Sequence, residues 1–259
     1  MEIQSMGVTV HYELYGKGER RVVLLHGWGC DVKLMRPIAQ ALQEDMSVLA
    51  LDFPAHGQSG RPPEPWGVPD FAACLMDVLK RLDFLPCSVI AHSFGGRVTI
   101  ELASRDDAPF DKLILTGSAG IKPPPTEAGK KRSAAFARWK RWCGMLKKLR
   151  IFGRLPQRLE DAARKKYGSR DYNALDADMR KTFVKVVAYD QTDQLKSICR
   201  PTLLIWGDQD TETTLWMGKR MEKDIPDAGL VILEGGSHFA YLEQAARFAK
   251  IAHVFLMEE

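Results

Sequence analysis

The sequence predicts an α/β protein: a three-layer fold with a mostly parallel central sheet, interrupted by one helical insertion. Three observations predict it. Short apolar runs alternate with amphipathic stretches along 1–120 and again along 191–259, the rhythm of a parallel sheet covered by helices. Lys122-Pro123-Pro124-Pro125 breaks that rhythm, because proline fits neither a helix interior nor an inner strand. Charge is segregated as well: residues 121–190 hold 19 of the chain's 37 Lys and Arg but only 7 of its 33 Asp and Glu. A stretch so unlike its surroundings reads as a separate structural unit. The expected organisation is therefore a core of 1–120 with 191–259, and an inserted helical segment at 121–190. A length of 259 residues suits one such domain and is marginal for two independent ones.

Each element has its own signal. Val8 to Tyr15 alternates like an early antiparallel strand and runs into a Gly16-Lys17-Gly18 turn. Arg21 to His26 is a continuous apolar run, as expected for a strand buried on both faces. Leu34, Ile38, Ala41 and Leu42 share one face of a helix near 31–43. Met46 to Asp52 is a second buried strand. A helix near 69–82 carries Phe71, Leu75, Val78, Leu79 and Leu82 at helical spacing. Ser88 to His92 is a third buried strand, followed at once by a helix near 94–104, and Leu113 to Thr116 is a fourth. Residues 127–190 read as helical and basic, with Trp139, Trp142, Phe183 and Val187 among the apolar positions. Alternation returns with a strand at Pro201–Trp206, a helix near 214–224, a strand at Leu230–Leu233 and a closing helix near 240–257.

Composition excludes several classes. No apolar run reaches the eighteen or so residues of a membrane span, and the N-terminus lacks a basic-then-apolar secretory signal. The five cysteines are scattered and form no CxxC pair, which indicates neither a disulfide framework nor a zinc site. Reduced, mostly buried thiols in a cytoplasmic protein are the simplest reading. No nucleic-acid motif accompanies the basic stretch, which reads first as a solvated helical face and second as an attractor of anionic substrates. The expected partner is a small-molecule substrate; oligomeric state is not encoded legibly.

The chemistry concentrates at strand ends. Ala91-His92-Ser93-Phe94-Gly95-Gly96 sits where a buried strand turns into a helix. A serine hydroxyl is a poor nucleophile and must project from the sheet edge towards a base, and small neighbours allow the sharp turn. His26-Gly27-Trp28-Gly29 follows an earlier strand and offers a second backbone donor for an oxyanion. The expected donors are the N–H groups of Phe94 and Trp28, while His26 reads as a loop-packing residue. Asp208 and Asp210 end the strand at 201–206, and His238 follows the next strand. His11, His56 and His253 are poorer candidates for the base, since none follows a late strand. Asp210 is preferred to Asp208 because it lies farther into the loop. The order Ser93, Asp210, His238 suits a nucleophile, an orienting acid and a base on this type of sheet. No metal or organic cofactor is needed for that chemistry.

These motifs together resemble the α/β-hydrolase superfamily over 1–120 and 195–259. Ala91-x-Ser93-x-Gly95 is similar to its G-x-S-x-G elbow, with alanine for the first glycine. His26-Gly27-x-Gly29 resembles its oxyanion loop, and Asp52-Phe53-Pro54-Ala55-His56-Gly57-Gln58-Ser59 its D-x-P-G-x-G-x-S turn, with Ala55 replacing a glycine. His238 followed by Glu243 fits too. Thr211-Glu212-Thr213-Thr214 lacks the proline often found after the acid. The resemblance implies a serine hydrolase acting through an acyl-enzyme, with 121–190 as a cap over the site and Trp139 and Trp142 as candidate substrate contacts. The first expectation is a carboxylic ester of a small or medium acyl group. A carbon–carbon bond hydrolase of ring-cleavage products comes second; such relatives usually carry Asn and Trp where this chain has His92 and Phe239. A third reading is a non-catalytic small-molecule binder on the same scaffold. An aminopeptidase would need an acidic amine-binding site, of which the basic insertion gives little sign.

Overall fold

The computed structural model describes residues 1–122 and 170–258, together with positions 134, 137, 138, 141, 142 and 145. By compactness the chain divides into two units, Met1–Lys122 with Val184–Glu259, and Pro123–Phe183.

The first unit is built on eight strands: β1 (Glu2–Ser5), β2 (Val8–Tyr15), β3 (Arg20–Leu25), β4 (Met46–Leu51), β5 (Cys87–His92), β6 (Phe110–Thr116), β7 (Thr202–Gly207) and β8 (Ala228–Leu233). They lie in the order β1-β2-β4-β3-β5-β6-β7-β8. β1 pairs with β2, and β2 with β4, in antiparallel fashion; every pairing from β4 to β8 is parallel. The helices of this unit are α1 (Arg36–Leu42), α2 (Val68–Arg81), α3 (Phe94–Ala103), α6 (Leu215–Asp224), α7 (Ala240–Glu243) and α8 (Ala245–Met257). Between α3 and α6, the helices α4 (Arg170–Ala174) and α5 (Ala177–Ala188) begin in the second unit, and α5 runs on into the first.

The continuous apolar runs make sense once both faces of the sheet are followed. Val23, Leu25, Val89, Ala91, Leu113, Leu115, Leu204 and Trp206 pack on one face with α2 and α3. Val22, Leu24, Ile90, Ile114 and Ile205 alternate with them and pack on the other face with α1 and α8. Two buried faces leave no polar alternation to write, and each buried aliphatic side chain contributes roughly 1.5–3 kcal/mol.

One strand adds to the expected elements, and two local expectations are corrected. A first strand, β1, pairs with β2 through a turn at Met6 and Gly7, both with positive φ. The helix near 31–43 is a 3-10 turn, Val32–Leu34, followed by a short α1; Ala39 is buried where Ala41 was expected and is exposed. Pro37 in the first turn restarts the helix and shifts the buried face. The closing helix is two helices broken at Gln244 (φ −121°, ψ 44°). Of the described cysteines, Cys74 and Cys87 are buried, Cys30 is half-buried and Cys199 exposed, none of them in a disulfide.

The Asp52 turn ties the end of β4 to its neighbours. Asp52 is fully buried and its carboxylate accepts from Val32 N (2.7 Å), Gln58 N (2.9 Å) and His11 Nδ1 (2.9 Å). A Cβ on Gly57 would stand 2.2 Å from that carboxylate, so only glycine fits there. Ala55, in the same turn, has φ +67° and therefore carries the left-handed penalty of about 1–2 kcal/mol that glycine escapes. After offsetting the entropy of an added glycine, Ala55→Gly is expected to stabilise the fold by about 0.5–1 kcal/mol. Thermal unfolding checks this, with a rise in Tm of about 1–4 °C expected.

Candidate active site

β3, β5, β7 and β8 end at one edge of the sheet, and the loops that follow carry the predicted residues; His92, beside Ser93, has its Nε2 2.9 Å from His238 O. Ser93 is the turn between β5 and α3. Its φ of +49° and ψ of −105° lie outside the ordinary regions for an L-residue. Four bonds hold the turn in that state. Ser93 N donates to Thr116 O (3.2 Å), and Ser93 O accepts from Gly96 N (3.0 Å) and Ala119 N (3.1 Å). Gly95 N donates to His26 O (3.2 Å), binding the turn to the loop after β3. Ala91, the departure from the glycine pattern, is buried within β5 opposite Leu25 and Leu115 and needs no special φ.

Gly27 lies directly against this turn. A Cβ there would stand 2.8 Å from His92 Nδ1 and 3.3 Å from the Ser93 Cβ. Trp28 follows, and its ring meets Phe94 edge-on at 5.3 Å. The two residues expected to donate to an oxyanion thus come from separate loops to one place. Phe94 opens α3, where N–H groups have no acceptor within the helix.

His238 and Asp210 form a buried pair. His238 Nδ1 lies 2.8 Å from Asp210 Oδ2. The other carboxylate oxygen accepts from Glu212 N (2.8 Å) and Thr213 N (2.9 Å). Thr213 Oγ1 stands 2.8 Å from both Asp210 Oδ2 and Gly117 O and 3.1 Å from His238 Nδ1. Burial alone would raise the Asp210 carboxyl, but hydrogen bonds from His238 and Thr213 and the imidazole beside it outweigh that, so the net shift is downward. An ionised Asp210 accepts the proton on Nδ1 and leaves Nε2 as the basic nitrogen. The His238 loop is itself anchored: Glu243 accepts from Ser237 N (2.8 Å) and from its hydroxyl.

The rejected candidates have other partners. Asp208 accepts from Gly235 N (2.7 Å) in the exposed loop. His253 pairs with Asp45 on the surface. His11 pairs with Asp52 and has Ser59 nearby, but the Ser59 hydroxyl already donates to Asp52 O (2.7 Å). A histidine–carboxylate contact alone is therefore not diagnostic here. His26 is buried, bonded to Gly27 O (2.7 Å) and Phe53 N (3.0 Å), the loop-packing role expected of it. Trp139 lies outside the described residues, and Trp142 is an exposed helical position. Sequence reasoning passed over Thr213 and Glu212 as site residues; the only sign was the missing proline in their loop. Among the described residues no group of three or more His, Cys, Asp or Glu could hold a metal ion.

Three buried histidines make a pH prediction. Burial lowers His26 and His92 to about 3 and lowers His56 as well. Their folded values lie below the unfolded value near 6.5, so the unfolded chain binds more protons below that pH. Stability is whole above pH 6.5 and falls as pH drops from there towards 3. Urea unfolding at pH 7.5 and 5.5 is expected to differ by on the order of 1–3 kcal/mol, well before carboxylate protonation contributes.

A mostly parallel eight-stranded sheet, with a strained serine on its central strand–helix turn and a buried Asp–His pair at the same edge, has hydrolase architecture. The chain belongs to the alpha/beta hydrolase family, whose model matches residues 22–251. It is 27% identical over 244 residues to an uncharacterized hydrolase, YugF, of Bacillus subtilis, covering 90% of this chain and 88% of that one. It is also 27% identical to the pimeloyl-[acyl-carrier protein] methyl ester esterase of Neisseria meningitidis serogroup C, covering 92% and 93%. The enol-lactonase from Burkholderia xenovorans LB400 shares the fold, with a TM-score of 0.74 and 22% identity over the whole of both chains. No helix among the described residues is long and apolar enough to cross a membrane.

Proposed function

We propose that this protein hydrolyses carboxylic esters of small or medium acyl groups through an acyl-enzyme on Ser93. The observation that carries the reading is the strained Ser93 turn at the sheet edge where His238 and Asp210 meet at 2.8 Å. His238 Nε2 takes the Ser93 proton as the serine oxygen bonds to the ester carbonyl carbon. Asp210 holds the imidazole in its tautomer and stabilises the imidazolium. The N–H groups of Trp28 and Phe94 bind the oxygen on which charge develops. His238 then gives its proton to the leaving alkoxide as the carbon–oxygen bond breaks. A water, deprotonated by His238, attacks the acyl group and releases the acid and free Ser93. These steps use no metal or organic cofactor.

Two of the similar proteins are named for ester chemistry, a methyl ester esterase and a lactonase, and a lactone is a cyclic ester. The esterase, at 27% identity, supports the ester reading; the enol-lactonase and a meta-cleavage product hydrolase from Pseudomonas fluorescens share the fold equally well and do not separate the two bonds. The basic segment at 121–190 is read as a cap that selects the substrate, and its Trp139 and Trp142 as substrate contacts. The scattered cysteines favour a reducing, cytoplasmic setting. The test is turnover of p-nitrophenyl acetate, butyrate and octanoate beside a ring-cleavage dienoate. Faster hydrolysis of the esters is expected. A dienoate preferred tenfold or more would overturn the ester reading, and no turnover of any would favour the non-catalytic binder.

A further inference from the structure

His238 has a carboxylate on each side. Asp210 occupies the Nδ1 side, and the Glu212 carboxylate lies 3.6 Å from Nε2. The second contact is too long for a hydrogen bond. It nonetheless places a negative charge beside the nitrogen that must face Ser93 and the leaving group. The placement is built in, because Glu212 N donates to Asp210 Oδ1 and the adjoining Thr213 is bound to Asp210 and Gly117. The Glu212 side chain is 63% exposed, so its charge is hydrated and screened rather than buried.

Resting on the reading of Ser93, Asp210 and His238 as the triad, we infer that Glu212 sets a charge preference next to the scissile bond. It favours esters whose leaving group carries a cationic group and disfavours those carrying an anionic one. A cation within about 4–6 Å of the carboxylate gains attraction during bond breaking, and a carboxylate there is repelled. Screening limits the expected effect to about 5- to 20-fold between substrates of opposite charge. The acidic group that an amine-recognising site requires is thus supplied by the loop of the catalytic acid, not by the insertion.

Three thioesters of acetate test this, with 2-(trimethylammonio)ethanethiol, 3,3-dimethylbutanethiol and 3-mercaptopropionate as leaving groups. The first two have nearly the same shape and differ in charge. In the wild type, kcat/KM is expected to fall in the order cationic, neutral, anionic. Glu212→Gln should bring the cationic-to-neutral ratio close to that of an uncharged site, and Glu212→Lys should invert it. Glu44→Gln, an exposed carboxylate after α1, should keep the wild-type ratio, and 0.5 M salt should shrink it. A ratio unmoved by Glu212→Gln, with the neutral thioester still turned over, overturns this inference alone. Absence both of neutral turnover and of Ser93 labelling by a fluorophosphonate overturns the triad and this inference together.

Discussion

Replacing Ser93 with alanine is expected to lower kcat/KM on the best p-nitrophenyl ester by at least about 10³-fold, leaving only the contribution of binding and oxyanion donors. The geometry adds a second, independent readout. Ser93 stands at φ +49°, a conformation costing an L-residue about 1–2 kcal/mol. Alanine keeps the Cβ and so keeps that cost. Glycine removes it. After the entropy of an added glycine is offset, Ser93→Gly should be as inactive as Ser93→Ala yet more stable than the wild type, by about 1–4 °C in Tm. Equal Tm values for the two variants would mean that the turn carries no strain.

Asp210→Asn is expected to cost about 10³- to 10⁴-fold in kcat/KM with little loss of stability. The reason lies in which oxygen can be replaced. Asp210 Oδ1 accepts from two backbone N–H groups, Glu212 and Thr213, so the asparagine oxygen must remain there. Its NH₂ then points at His238 Nδ1, where Oδ2 stood. The imidazole answers by moving its proton to Nε2, the nitrogen that must be free to accept from Ser93. Asp208→Asn, two residues earlier in the same loop and with a side chain bonded only to Gly235 N among the bonds described, should change kcat/KM by less than about threefold. Steady-state kinetics on both variants separates the two carboxylates directly.

The sheet was legible because its strands are buried on both sides. Runs such as Val22 to Leu25 and Val89 to Ala91 need no alternation, and parallel pairing follows from the helices between them. Boundaries were legible only to within a turn of helix. Ala39, not Ala41, faces the core because 31–43 is not one helix: Pro37 restarts it. Gln244 breaks the last helix without a proline or glycine to announce it. At the candidate site, strand ends pointed to Ser93, His238 and Asp210 because they restrict where such residues can act, and the structure sets His238 against Asp210. Thr213 and Glu212 could not be named, since a loop has no period and their contacts to Asp210, Gly117 and His238 join residues up to 96 apart in sequence. The residues of 121–190 carry a charge pattern but no motif, and most lie outside the described residues.

A Ser93 nucleophile activated by His238 and Asp210 should be labelled covalently by a fluorophosphonate. Incubation with a fluorophosphonate and measurement of the intact mass tests this most directly. One adduct on the wild-type protein, absent from Ser93→Ala and much slower to form on Asp210→Asn, is the expected result. No adduct on the folded wild type, or an adduct that persists in Ser93→Ala, would contradict it.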